Sequence, residues 1–294
     1  MSVAARAHPH VELAPAKINL SLEVIGRRAD GYHEIHSLVV FADCGDRLTG
    51  ELSSDWRLDM AGPFAGSLVN EPDNLVSRAA ILLGEHLEQP MNAHLTLEKN
   101  LPVASGIGGG SADAAATLRL LARLHGRKLE PHELASLALC LGADVPVCLD
   151  PAPAFMWGKG ELIKRLSALP SFWLLLVNPG VAVSTGEVFT ALKAGECLDV
   201  PASPPLPLWD DLGALVEWLA ARGNDLEAPA KHLAPVIGEV IAAIAATSGC
   251  KLARMSGSGA TCFGLYADEK SAQRAQAAIK AAHPQWWVRA AARL

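Results

Sequence analysis

An α+β fold in two halves is the architecture this sequence predicts, and three observations carry that reading. Strand-like alternation and Ala/Leu-rich helical stretches are mixed along the whole chain. Their order lacks the regular strand–helix–strand rhythm of a doubly wound parallel sheet. The 294 residues are 50% apolar and only 19% charged, enough to bury a substantial core and to exclude intrinsic disorder.

The elements follow in chain order. Residues 17–24 alternate, with Ile18, Leu20, Leu22 and Val24 on one face and Lys17, Asn19, Ser21 and Glu23 on the other, as a half-buried strand requires. A turn over 26–31 leads to a second strand from Ile35 to Phe41, then a helix from Leu75 to Leu87 and a strand over 94–98. The stretch from Ser111 to Leu124 predicts a helix with Ser111 as its N-cap and Gly126 just beyond its end; another runs from Pro131 to Gly142. The turn-rich Trp157-Gly-Lys-Gly160 precedes a buried strand over 172–177 and offers a boundary. The stretch from Val200 to Trp209, with four prolines, is a loop or insertion. Beyond it come a helix near 233–247, strands near 251–255 and 261–266, a helix over 269–282 and a last strand near 286–288. No internal repeat is visible.

Twenty-five basic against 31 acidic residues give a net charge of −6. That excludes a dedicated nucleic-acid or membrane-surface binder, so an anionic substrate would need a local positive site. The six cysteines contain no C-x-x-C pair and read as reduced, buried thiols. The stretch MSVAARAHPHVEL lacks the apolar core of a signal peptide and no apolar span approaches membrane length, so the expected location is the cytoplasm.

The most informative segment runs from Leu101 to Ala116. Gly106, Gly108, Gly109 and Gly110 fall within five residues and feed directly into a helix. Such a loop is costly to order, and it makes sense where backbone N–H groups must surround an anion at a helix N-terminus, phosphate being the usual one. It is not a Walker A loop, since no lysine follows Gly110, and the dinucleotide pattern G-x-G-x-x-G fits poorly because Ser111 stands at its last position. The alternative is an ordinary flexible turn.

P-x-x-x-G-I-G-G-G-S-A at 102–112 resembles the phosphate-binding motif of the GHMP kinases, named for galactokinase, homoserine, mevalonate and phosphomevalonate kinases. Further stretches resemble one branch of that family: Ala14-Pro-Ala-Lys-Ile-Asn-Leu20, Arg28-Ala-Asp-Gly-Tyr-His-Glu-Ile35, Gly142-Ala-Asp-Val-Pro146, Val177-Asn-Pro-Gly180 and Met255-Ser-Gly-Ser-Gly-Ala260. This branch phosphorylates the 2-hydroxyl of a cytidylyl-bearing polyol in non-mevalonate isoprenoid synthesis. The resemblance implies a two-domain GHMP kinase fold. Residues 1–162 would be like the second domain of ribosomal protein S5 and carry the phosphate loop, and 163–294 would be ferredoxin-like. A departure is Ala104-Ser105, where some members carry glycines.

The same resemblance implies the site. ATP is expected on Pro102, Val103, Ala104, Ser105, Gly106, Ile107, Gly108, Gly109, Gly110, Ser111 and Ala112, with Asn74 and Lys99 nearby. Mg²⁺ would accompany ATP, with Ser111 near a phosphate or the metal's water shell and no protein ligand nameable. Asp144 lies after the helix stop at Gly142, and Pro146 biases Val145 to extended backbone; by position alone it could cap a helix, and the resemblance makes it the catalytic carboxylate. Lys17 would be its cationic partner and Asn19 would orient the acceptor. Tyr32 would stack on cytosine, with His33 on the base edge, Phe189 over the other face and Thr185 lining the same pocket; without the resemblance, Tyr32 belongs to a surface turn. The turn Gly257-Ser-Gly259 reads both as a hairpin and as a wall beside the phosphates. The alternatives are another small-alcohol kinase of the homoserine or mevalonate type, or a non-catalytic nucleotide-binding protein on this fold. Whether the chain is a monomer or a homodimer is left open.

Overall fold

The computed structural model describes residues 10–67, 74–197 and 202–294. The first nine residues, and Val200 and Pro201 at the start of the proline-rich stretch, lie outside the described residues. In chain order the elements are β1 (His10–Asn19), β2 (Glu23–Arg27), β3 (His33–Leu52), β4 (Arg57–Ala61), α1 (Leu75–His86), β5 (Ala93–Glu98), α2 (Gly109–Leu124), α3 (Pro131–Leu141) and α4 (Val145–Cys148). They continue with β6 (Ala154–Trp157), β7 (Leu162–Arg165), β8 (Trp173–Asn178), α5 (Thr185–Leu192), α6 (Leu212–Ala220), α7 (Glu227–Leu233), α8 (Val236–Ala245), β9 (Leu252–Met255), β10 (Cys262–Tyr266), α9 (Glu269–Ala282) and β11 (Trp287–Ala292). None of the helices among the described residues is long and apolar enough to cross a membrane.

The chain forms two compact units that interleave in sequence. The first holds residues up to Pro15, Gly45–Leu101 and Gly109–Asp150. In it the far half of β3 pairs antiparallel with β5, from Arg47 opposite Glu98 to Leu52 opposite Ala93, and β4 joins β5 in parallel. Helix α1 buries Val76, Ala79, Ala80 and Leu83. Helix α2 is buried around most of its circumference, with Ala112, Ala114, Ala115 and Ala116 giving its neighbours close approach. Arg119 and Arg123 on α2 reach Glu12 of β1 at 3.0 and 2.6 Å, and Arg119 also donates to the carbonyl of Cys148 in α4 at 2.9 Å.

The second unit holds Ala16–Cys44, Pro102–Gly108 and Pro151–Leu294. The near half of β3 pairs antiparallel with β2 and with β6, and β6 turns back through 158–161 into β7. A separate antiparallel sheet runs in the order β11-β8-β10-β9. Leu175, Val177, Cys262 and Tyr266 of this sheet bury against Ile237, Val240 and Ile244 of α8 and Ala272, Ala275 and Ile279 of α9. Each fully buried leucine or isoleucine contributes about 1.5–3 kcal/mol.

Five expectations need correction. The 17–24 run is two strands, since β1 ends at Asn19 and β2 begins at Glu23. Its polar face is not solvated either: Lys17, Asn19 and Ser21 are buried because serines and backbone groups pair with them. Helix α2 starts at Gly109, two residues ahead of Ser111, which therefore lies inside it rather than capping it. Val145 is helical, not extended, because Pro146 sits in the first turn of α4, where no N–H is needed. Of the six free cysteines only Cys148 and Cys262 are buried, and Cys140 is exposed.

Candidate active site

The glycine loop, Pro102–Gly108, curls through three left-handed residues: Ala104 at φ +50°, Gly106 at +73° and Gly108 at +64°. Ser105 Oγ closes the curl by donating to the Pro102 carbonyl at 2.6 Å. The loop rests on the turn between β9 and β10. Thr261 N–H donates to Ser105 O at 3.0 Å, and Ser256 Oγ donates to Gly106 O at 3.1 Å. A Cβ on Gly106 would lie 2.5–2.7 Å from Ser256 O and from the backbone N and O of Gly259, so no other residue fits there. The Gly257-Ser-Gly259 turn is thus a support pressed against the loop, and Ser258 Oγ shares a 2.8 Å hydrogen bond with Thr185 Oγ1.

Lys17 and Asn19 belong to the same unit. Lys17 N–H donates to Ile107 O at 2.9 Å, and a Cβ on Gly108 would meet Lys17 Cβ at 3.2 Å and Cε at 3.3 Å. The lysine stem therefore lies along Gly108, in the space that a side chain would take. Asn19 is fixed at both ends: its N–H donates to Ser256 Oγ at 3.1 Å and its Nδ2 to Ser37 Oγ at 2.8 Å.

In the first unit, Gly109, Gly110, Ser111 and Ala112 make up the opening turn of α2, whose leading N–H groups have no carbonyl one turn back to pair with. Asn74 Oδ1 accepts from Val76 N–H at 2.8 Å and caps α1. Lys99 is buried, donating to Asp46 Oδ2 and, at 2.6 Å, to Asp113 Oδ2. Burial works against the Lys99 charge, but Asp113 and Asp46 outweigh it and hold its pKa above the ordinary lysine value. Burial, with the charge of Asp46 and against that of Lys99, pushes the Asp113 carboxyl up to about 7. Asp144 is the N-cap residue of α4 by position, yet its side chain makes no capping bond. Its backbone is anchored through Cys148 Sγ, which donates to Asp144 O at 3.3 Å, while Arg119 holds the Cys148 carbonyl.

The turn that carries Tyr32 is built on a buried carboxylate. Glu34 accepts from Arg28 Nη1 at 3.1 Å and from Gly158 N–H at 2.7 Å, and Tyr32 N–H donates to Asp30 Oδ1 at 3.1 Å. Tyr32 itself is 53% exposed, with Lys159 Nζ 4.6 Å from its ring centre. His33 stacks on Phe189 with centroids 4.6 Å apart and planes at 24°. Burial, helped by Arg27, keeps the His33 pKa below the ordinary histidine value, so its ring is neutral at pH 7 and offers one donor and one acceptor.

The structure therefore gathers Lys17, Asn19, Val103, Ala104, Ser105, Gly106, Ile107 and Gly108 around one loop, and Tyr32, His33 and Phe189 around one turn and helix. Sequence reasoning missed Glu34, Lys159, Ser256, Asp46 and Asp113. Glu34 and Ser256 had a local signal, standing inside the Gly-Tyr-His-Glu and Met255-Ser-Gly-Ser-Gly-Ala260 stretches. Among the described residues, no group of three or more His, Cys, Asp or Glu is placed to hold a metal ion.

Comparison with known proteins bears on these residues. Family models for the GHMP kinases match as the N-terminal domain over residues 74–158 and as the C-terminal domain over 206–285. A 4-diphosphocytidyl-2-C-methyl-D-erythritol kinase from Parvibaculum lavamentivorans is 58% identical over 97% of this chain and 98% of its own length. The enzyme of the same name from Cereibacter sphaeroides is 53% identical over 94% and 96%. A crystal structure of 4-(cytidine 5'-diphospho)-2C-methyl-D-erythritol kinase superposes with a TM-score of 0.77 at 37% identity, covering 96% of this chain and 99% of that one. A homoserine kinase structure from Cytophaga hutchinsonii, at 19% identity and a TM-score of 0.70, shares the fold.

Proposed function

The chain belongs to the GHMP kinases, and from that premise we propose that it transfers the terminal phosphoryl group of ATP to the 2-hydroxyl of 4-diphosphocytidyl-2-C-methyl-D-erythritol, releasing ADP. The substrate follows the full-length relatives. Among geometric observations, the one that carries the chemistry is the Lys17 stem laid along Gly108: it ties a buried cation to the loop that would hold the transferring phosphate.

Phosphoryl transfer to an alcohol asks the protein mainly for alignment and charge stabilisation. The bare N–H groups from Gly106 to Ala112 surround the ATP phosphates, at the positive end of the α2 dipole. Lys17 stabilises negative charge on the transferring group and the acceptor oxygen, and Asp144 takes or orients the hydroxyl proton. Asn19, locked by Ser37 and Ser256, orients the acceptor end. Bound together with ATP, Mg²⁺ would supply neutralisation of phosphate charge, and Ser111 is the residue that would lie beside its water shell. Asn74 and the backbone near Lys99 border the nucleotide; the Lys99 ammonium is already engaged by Asp46 and Asp113.

The cytidylyl group is read by Tyr32, whose exposed ring offers a stacking face, and by the neutral edge of His33. Phe189 holds the His33 ring from behind and Thr185 borders the same pocket, its hydroxyl steadied by Ser258. The expected domain boundary at 162 falls between the family-model segments at 74–158 and 206–285, while the compact units interleave rather than divide there.

The test is a double-mutant cycle. Asp144→Asn should lower kcat by about 10²–10⁴ with ATP affinity nearly unchanged, and Lys17→Met should lower kcat as well. If both groups act on the same reacting atoms, the double variant loses far less than the product of the single losses. A loss below about fivefold for Asp144→Asn rejects the proton-acceptor role.

A further inference from the structure

We propose that Asp113 is a positioning residue for ATP: together with Asp46 and Lys99 it pins the opening turn of α2, so that the N–H groups of Gly109, Gly110 and Ser111 keep a fixed direction. The inference rests on the reading that this turn holds the ATP phosphates.

Three segments meet at the cluster. Asp46 on β3 uses Oδ1 to accept from the N–H groups of Asn100 and Leu101 at 2.6 and 2.9 Å, and Oδ2 to accept from Lys99 Nζ. Lys99, just past the end of β5, donates onward to Asp113 Oδ2 on α2. Gly109, one helical turn before Asp113 and on the same face, sits directly over the pair: a Cβ there would lie 3.5 Å from Asp46 Oδ2 and 3.6 Å from Lys99 Nζ. The first residue of α2 and the anchor one turn on thus rest against the same two charges.

Stability alone explains this arrangement poorly. Two carboxylates and one ammonium are almost fully buried, and Asp113 Oδ1 has no hydrogen-bond partner. A buried ionic cluster costs desolvation that well-packed apolar side chains of similar size would not, and an orphaned carboxylate oxygen adds to that cost. What the cluster supplies, and apolar packing does not, is a directional bond between the start of α2 and β3. A glycine-rich turn whose work is to aim N–H groups needs such a bond, because Gly109 and Gly110 have no side chains with which to lock themselves in place.

The test uses charge-balanced variants. Asp113→Asn leaves Asp46 and Lys99 as a neutral pair, so the fold is expected to persist. Asp113→Glu keeps the charge and shifts the carboxylate by one methylene, and it serves if the first variant does not fold. Positioning predicts that KM for ATP rises about tenfold while kcat and KM for the alcohol stay within about threefold. A merely structural role predicts a lowered Tm with an unchanged KM for ATP. Gly110→Val, whose Cβ meets only Leu75 Cδ1 at 3.4 Å, serves as the reference variant. If Gly110→Val raises KM for ATP and the folded Asp113 variant leaves it within twofold, the positioning role is overturned and the phosphate reading stands. If neither variant changes it, both fall.

Discussion

Replacing Gly108 by alanine separates the backbone role of the glycine loop from its effect on Lys17. Gly108 lies at φ +64°, where a Cβ costs about 1–2 kcal/mol. That alone should lower Tm by about 2–3 °C in a chain of this length. The added methyl also lands 3.2 Å from Lys17 Cβ and 3.3 Å from Cε, closer than side chains ordinarily pack. The lysine stem has to move by a few tenths of an ångström. Because misplacing a reacting group by about 1 Å costs on the order of a hundredfold in rate, a displacement of that size should lower kcat about tenfold. Gly126→Ala is the control: its φ is +63° and nothing lies within 4 Å of the new Cβ, so it carries the same backbone cost and no clash. Coupled ADP-release kinetics and thermal melts on both variants give the comparison. Equal losses of Tm with kcat unchanged in both would refute the idea that the Lys17 stem is set by Gly108.

Removing the Tyr32 ring should raise KM for the cytidylyl substrate about tenfold, from a stacking contribution of about 1–3 kcal/mol, and leave KM for ATP unchanged; an unchanged substrate KM returns Tyr32 to a surface turn. The Asp113 carboxyl titrates near 7 in the folded chain against 3.8 in the unfolded one. Between those values only the folded chain holds the proton, so its contribution to stability is complete below pH 3.8 and is lost as pH rises towards 7. Melts of the parent and Asp113→Asn at pH 5 and pH 8 should therefore differ in slope, the variant being flatter, and parallel profiles would contradict the raised pKa.

Local pattern was enough for much of the fold. The 3.6-residue apolar repeat of α1, the alternation of β5 and the Pro131 start of α3 each appear where the sequence places them, since one turn or one pleat decides them. Helix α5 was missed although Ser184 caps it by accepting from Glu187 N–H, a Ser-x-x-Glu signal that was there to be read. Strand β4 does alternate, Arg57 and Asp59 with Leu58 and Met60, but the run is too short to stand out by itself and is defined by its pairing with β5. Periodicity also says which residues share a face but not whether that face meets water. Lys17 and Asn19 look solvated in isolation and are buried because Ile107 and Gly108 lie against Lys17 and Ser256, 237 residues on from Asn19, meets the Asn19 N–H. The Asp46–Lys99–Asp113 cluster was invisible for the same reason: Asp113 is a lone charge among alanines, Asp46 and Lys99 each stand beside another charge in the sequence, and Lys99 lies 14 and 53 residues from its two partners.

The most direct test is steady-state ADP release by the purified protein with MgATP and, in turn, 4-diphosphocytidyl-2-C-methyl-D-erythritol, homoserine and mevalonate as acceptors. A kinase that reads a cytidylyl alcohol through Tyr32 and His33 turns over the first and leaves the other two at background. ADP release that is equal with homoserine or mevalonate, or absent with the cytidylyl alcohol, would contradict it.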